Sequence, residues 1–140
     1  MILVDTGPFV ALFDPQDPQH LRCREVLQAI KEPLMTTVPV LTETFHMLSP
    51  ESYGSSRLRD FIMQDGLTIW FMDETSLERC FELIEQYGDK PMDLANASLI
   101  VAAENFKTRK IFTLDRRDFV AYRIRQGHRL YAVEMLPENL

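Results

Sequence analysis

Ile2-Leu3-Val4-Asp5-Thr6-Gly7-Pro8, residues 2–8, is an apolar run of strand length that passes directly into a helix start. Three branched aliphatic side chains suit a short buried strand, and Asp5 or Thr6 can cap the helix that follows. Pro8 falls inside the first turn, where its missing N–H costs nothing. The same pattern returns at Ile111-Phe112-Thr113-Leu114-Asp115, again an apolar run closed by an acid. Residues 34–37 (Leu-Met-Thr-Thr) give a second strand, after which Pro39 opens a helix with Val40, Leu41, Phe45 and Leu48 as its apolar positions. Residues 67–72, rich in β-branched and aromatic side chains, give another strand. Helical patterns fill residues 20–30, 52–64 and 91–106, with a further helix carrying Leu77, Phe81 and Ile84. The 91–106 segment has a small-residue face (Ala95, Ala97, Ser98, Ala102, Ala103) that allows close packing on a sheet. A basic helical segment after Asp115 and a last strand at 130–133 complete the order. Strands alternating with helices predict an α/β domain with a mostly parallel sheet and right-handed crossovers. With no internal repeat or linker, residues 1–140 are expected to form a single domain.

Four acids stand at the corresponding ends of these elements. Asp5 and Asp115 follow strands, Glu43 lies one turn into the helix after residues 34–37, and Asp93 opens the 91–106 helix. Functional groups in a parallel sheet collect outside the carboxyl ends of the strands. The four are therefore expected to share one pocket despite their separation in sequence. Carboxylates ~4 Å apart repel by about 4 kcal/mol at an effective dielectric of ~20. Such a cluster needs a cation or shifted pKa values, which points to a hard divalent metal. Each acid also has a plain structural role open to it: Asp5 as a helix cap, Glu43 as a solvated helix residue, Asp115 as a turn aspartate.

The net charge of −6 on 140 residues is unevenly spread. Between Lys107 and Arg129 eight basic residues face two acidic ones, so that window carries +6 and the remainder −12. A solvated face would explain the window; so would a basic rim, beginning with Arg116 and Arg117 and extending to Arg123 and Arg125, beside an acidic pocket that takes a phosphodiester. Cys23 and Cys80 sit in helical patterns without metal-ligand spacing, as buried thiols in a reducing compartment would. No apolar run is long enough to span a membrane, and no secretory leader pattern opens the chain, so a cytoplasmic location without membrane attachment is expected. Neither a glycine-rich phosphate loop nor a nucleophile elbow is present.

Asp5-Thr6 after a short strand, Glu43 in the third helix, Asp93-Leu94-Ala95-Asn96-Ala97, and Thr113-Leu114-Asp115-Arg116-Arg117-Asp118-Phe119 together resemble the PIN-domain family. Within it, the chain looks most like the VapC-type toxin ribonucleases of prokaryotic toxin–antitoxin pairs. The resemblance runs along essentially the whole chain, and its most specific element is Thr-x-Asp-x-x-Asp-Phe after a strand. It implies a three-layer fold with a five-stranded, mostly parallel sheet and helices on both faces. It also implies metal-dependent RNA cleavage by clustered acids, with Mg²⁺ or Mn²⁺ as cofactor. RNA and a cognate antitoxin are the implied partners, with a homodimer left open. Carried over, the first acid is Asp5, the second Glu43 and the fourth Asp115. The usual third acid falls on Asn96, a departure, with Asp93 one helical turn earlier on a similar face.

Candidate catalytic residues are thus Asp5, Glu43, Asp93 and Asp115, and candidate metal ligands Asp5, Asp93, Asn96 and Asp115, since an amide oxygen also ligates hard cations. Thr6, Thr113, Arg116 and Arg117 are candidates for contact with the substrate, the threonines having capping and turn roles as the alternative. Asp118 is expected to cap the next helix. The competing function is a catalytically weakened PIN-like module that binds RNA or a protein partner.

Overall fold

A computed structural model describes residues 1–138. Five parallel strands form the central sheet: β1 (Ile2–Val4), β2 (Leu34–Thr37), β3 (Thr68–Trp70), β4 (Lys110–Phe112) and, last in the chain, β7 (Glu134–Leu136). Their order across the sheet is β3-β2-β1-β4-β7. β1 therefore lies between the strand that follows it and the strand that returns more than a hundred residues later, with Leu3 paired to both Met35 and Ile111. Strand order reverses between β1 and β4, the position at which an open α/β sheet forms a crevice beyond its carboxyl ends.

The helices cover both faces, as expected. α1 (Thr6–Phe13), α2 (His20–Ala29) and α4 (Tyr53–Met63) send Phe9, Phe13, Leu27 and Phe61 against Val4, Leu34 and Phe112. Between α1 and α4 the backbones come so close that a Cβ on Gly54 would lie 2.2 Å from the Phe13 carbonyl oxygen, which makes glycine obligatory there. α5 (Glu74–Gln86) and α6 (Leu94–Phe106) pack on one another, and α6 also touches β1, β2 and α3 (Val38–Leu48). Residues 95–103 are buried without a break, so the small-residue pattern marks a helix enclosed on every side. Thr37 and Ser98 share a 2.7 Å hydroxyl contact that fixes α6 to the end of β2. Phe81, placed on the buried stripe of α5 by its spacing, is 55% exposed; Cys80 and Leu83 are buried instead. Likewise Leu21 is exposed on α2 and Cys23 takes the buried position.

The end of the chain departs from the sequence reading. The basic segment is helical only over α7 (Arg116–Phe119). It then becomes β5 (Arg123–Gln126), which pairs antiparallel with β6 (Arg129–Ala132) in a separate two-stranded sheet. The expected last strand at 130–133 is thus mainly the return arm of a hairpin, and the fifth strand of the sheet begins at Glu134. The cause is local. Gly127 adopts φ +63° at the first position of a two-residue turn, as a glycine-first hairpin turn requires. Glu104 on α6 holds the hairpin: its carboxylate takes two bonds from Arg79 (3.0 and 3.1 Å) and one from the Arg125 backbone N–H (2.9 Å).

Candidate active site

The carboxyl ends of β1 and β4 build the site. Asp5 leaves β1 with its backbone N–H still in the ladder, bonded to the Phe112 carbonyl at 2.9 Å. Its side chain makes no capping bond across the first turn of α1, so the plain capping role falls away. Instead Oδ2 accepts from the Thr113 hydroxyl at 2.8 Å. That hydroxyl in turn accepts from the Asp115 N–H at 3.0 Å. One buried threonine therefore spaces two acids that lie 110 positions apart in sequence. Asp5 is only 6% exposed. Burial pushes its carboxyl up to about 6, opposed by the bonds from the Thr113 hydroxyl and the Thr6 backbone N–H and reinforced by the nearby charges of Asp115 and Glu43.

Asp93 and Asp115 both cap helices through one oxygen. Asp93 Oδ1 accepts from the Asn96 N–H at 2.8 Å, and Asp115 Oδ1 accepts from the Asp118 N–H at 3.2 Å. Burial raises the Asp115 carboxyl, and the charges of Asp118 and Asp93 act in the same direction. Capping anchors these side chains at helix starts, whose N–H groups and dipoles favour negative charge. Asp118 lies within α7 and does not cap a following helix.

All four predicted acids line one open cleft of about 550 Å³, together with Asp118, Asn96 and Thr6. Among the described residues its lining contains no lysine or arginine. Glu43, exposed on α3, stands at its edge. Among the described residues no three Asp, Glu, His or Cys side chains are close enough to enclose an ion by themselves. The acids ring an open space. Thr6 is 4% exposed and its hydroxyl has no hydrogen-bond partner among the described residues. Thr113, a candidate for substrate contact, is fully buried with its hydroxyl committed to Asp5 and Asp115.

The arginines fall elsewhere. Arg116 turns its guanidinium to the Pro137 carbonyl (2.7 Å) and lines a groove between α2 and β7. Arg117 is exposed and does not line the cleft. Arg123 caps the Val120 and Tyr122 carbonyls, and Arg125 borders a depression containing Glu78, Glu82 and Glu104. Arg116 and Arg123 thus make contacts within the protein, and Arg117 and Arg125 stand outside the lining of the acidic cleft.

Sequence reasoning missed one residue of the site. Tyr122 is fully buried between Tyr87 and Phe119, edge-on at 5.2 Å to each. Its hydroxyl lies 3.2 Å from Asn96 Nδ2, directly behind the cleft. An aromatic residue between a short helix and a strand carries no signal of that placement; only the fold brings it to position 96.

A sequence profile of the PIN domain matches residues 2–124. Ribonuclease VapC26 of Mycobacterium tuberculosis is 25% identical over 135 residues, spanning 94% of this chain and 99% of that protein. Among solved structures, the Sarcin-Ricin loop cleaving toxin VapC20 of M. tuberculosis superposes with a TM-score of 0.71 at 17% identity, over 79% of this chain and 87% of that one. A toxin–antitoxin complex from Klebsiella pneumoniae gives 0.67 at 17% identity, over 86% and 92%. FitAcB from Neisseria gonorrhoeae gives 0.59 at 21%, over 85% and 91%.

Proposed function

The chain belongs to the PIN-domain family, and from that premise we propose that it is a metal-dependent endoribonuclease, the toxin of a toxin–antitoxin pair, acting as a single domain. The observation that carries the reading is the convergence of Asp5, Glu43, Asp93 and Asp115 on one cleft with no basic side chain in its described lining. A ribonuclease among its relatives supports the activity, and a toxin–antitoxin complex among its structural neighbours supports the partner. RNA as substrate implies work in the cytoplasm. No helix of the described residues is long and apolar enough to cross a membrane.

The residues present fit a hard divalent cation. A buried carboxyl raised to about 6 beside further carboxylates is a site whose charge asks for compensation. Mg²⁺ keeps several waters and is usually held by one or two carboxylates together with substrate phosphates, so an open ring suits it better than a closed cage. Asp5, Asp93, Asn96 and Asp115 would hold the ion, with Glu43 and Asp118 placed to bond its waters. When bound, Mg²⁺ or Mn²⁺ supplies charge stabilisation and a more acidic water. The protein's own part is positioning. Thr113 fixes the relative placement of Asp5 and Asp115, the starts of α6 and α7 fix Asp93 and Asp115, and Thr6 offers an unengaged hydroxyl in the cleft wall.

The test is cleavage of a mixed RNA substrate with Mn²⁺ and with chelator, for the wild type and Asp5→Asn. Cleavage that requires both the ion and Asp5 is expected. RNA binding without cleavage under every condition would favour the weakened module, for which Asn96 at the usual acid position is the motive.

A further inference from the structure

We infer that Tyr122 is a positioning residue that fixes the Asn96 side chain so that its amide oxygen, a neutral ligand, is presented to the acidic cleft. The inference rests on the metal site proposed above and assigns a function to a residue outside the acid set. Asn96 is 8% exposed and lines the cleft. An amide has two chemically different ends, and which end meets a cation decides whether it attracts or repels it. The Tyr122 hydroxyl resolves the choice. It has one hydrogen, directed to the Pro91 carbonyl at 3.5 Å, and accepts from Asn96 Nδ2 at 3.2 Å. With Nδ2 held at the back wall, the oxygen is the end left for the cleft.

The wall itself is rigid. The Tyr122 ring is fully buried, edge-on to Tyr87 and Phe119. Tyr87 accepts from the Arg123 N–H at 3.0 Å, which ties the aromatic group to the start of the hairpin. The Asn96 backbone is pinned as well, through its N–H to Asp93 Oδ1. Main chain and side chain of residue 96 are therefore each held by one partner, Asp93 in front and Tyr122 behind. A carboxylate at this position would accept the hydroxyl's hydrogen through one of its oxygens, whereas asparagine gives its N–H to the hydroxyl and keeps its oxygen for the cleft.

Tyr122→Phe removes the hydroxyl and keeps the ring, so the core stays filled. Two readouts are needed, neither requiring RNA cleavage. In ¹H–¹⁵N spectra, the Asn96 side-chain NH₂ signals of the wild type should exchange slowly with solvent, and Tyr122→Phe should make them fast. In calorimetric titrations with Mn²⁺, Tyr122→Phe should weaken binding about three- to tenfold. In an Asn96→Ala background, where there is no amide to orient, the same change should have no effect on affinity. A Tyr122→Phe protein with wild-type Mn²⁺ affinity, whatever its melting temperature, would overturn the inference. So would an equal loss of affinity in the Asn96→Ala background, which would show the hydroxyl acting by another route. A wild type that takes up no Mn²⁺ would overturn the metal reading beneath it and this inference with it.

Discussion

At the scale of single residues, Asp5 carries the strongest conflict in the molecule. Its folded-state carboxyl, near 6, lies above the ordinary value of 3.8, so the native protein holds that proton more tightly than the unfolded chain. Stability from this group is full below about pH 4 and is lost as pH rises towards 6. A shift of about two units corresponds to roughly 3 kcal/mol. Asp5→Asn, melted in chelator at pH 8, is therefore expected to be more stable than the wild type, and the difference should vanish near pH 4. Excess Mg²⁺ at pH 8 should narrow or reverse the gap, because the ion favours only the carboxylate. Equal melting curves at pH 8 in chelator would mean that Asp5 is not ionised at a cost. Three of the acids were readable from sequence because Asp5 and Asp115 follow strands and Asp93 opens a helix; Glu43, inside α3, was readable through the resemblance. Roles fixed by side-chain direction were not: Thr113 turned inward, Arg116 turned to Pro137, and Tyr122 reached position 96 from another element.

At the scale of elements, the hairpin β5–β6 is the part of the fold that periodicity concealed. Its strands, Arg-Ile-Arg-Gln and Arg-Leu-Tyr-Ala, alternate only in part, and the hairpin signal lies in the glycine-first Gly-His turn between them. The run of arginines gave it the look of a basic helix continuing from α7. Ile124 and Tyr131, paired across the ladder, are the apolar pair on its more buried face. What holds the hairpin down is Glu104, whose side chain is 9% exposed and bonds both Arg79 and the Arg125 N–H. That pairing raises the Arg79 guanidinium further above its usual range. Breaking a buried pair from one side leaves the other charge uncompensated, at about 3–5 kcal/mol. Arg79 is 17% exposed and keeps Glu82 at 3.1 Å, which places Glu104→Ala at or below the lower end of that range. Urea denaturation should show this loss, with Mn²⁺ affinity of the folded protein unchanged. A loss under about 1 kcal/mol, the scale of an exposed pair, would mean that the hairpin is held by its apolar face alone.

At the scale of the whole molecule, charge is segregated. The acids collect beyond the carboxyl ends of the strands, while Arg116 and Arg123 of the +6 window turn to backbone carbonyls and Arg125 borders a group of glutamates. The unevenness was legible in sequence; its destination was not, because an arginine's long side chain reaches any of several partners. Phosphate contacts to single strands contribute a log–log salt slope of roughly −0.7 each. Arg116→Ala is accordingly expected to lower the melting temperature and leave the salt slope of RNA binding unchanged, measured by filter binding with the Asp5→Asn protein. A slope flatter by about 0.7 would return Arg116 to the RNA surface.

The order of the sheet also sets a clock. β1 is the central strand, yet one of its two neighbours, β4, begins only at Lys110. At synthesis rates of roughly 5–20 residues per second, Asp5 waits about 5–20 s for the residues that complete its surroundings. Until Thr113 and Asp115 have been made, a growing chain has Asp5 without its hydroxyl partner and no paired acid across the crevice. The cleft thus exists only once synthesis has passed Asp115, and a fragment released earlier carries Asp5 without Thr113 and Asp115 beside it.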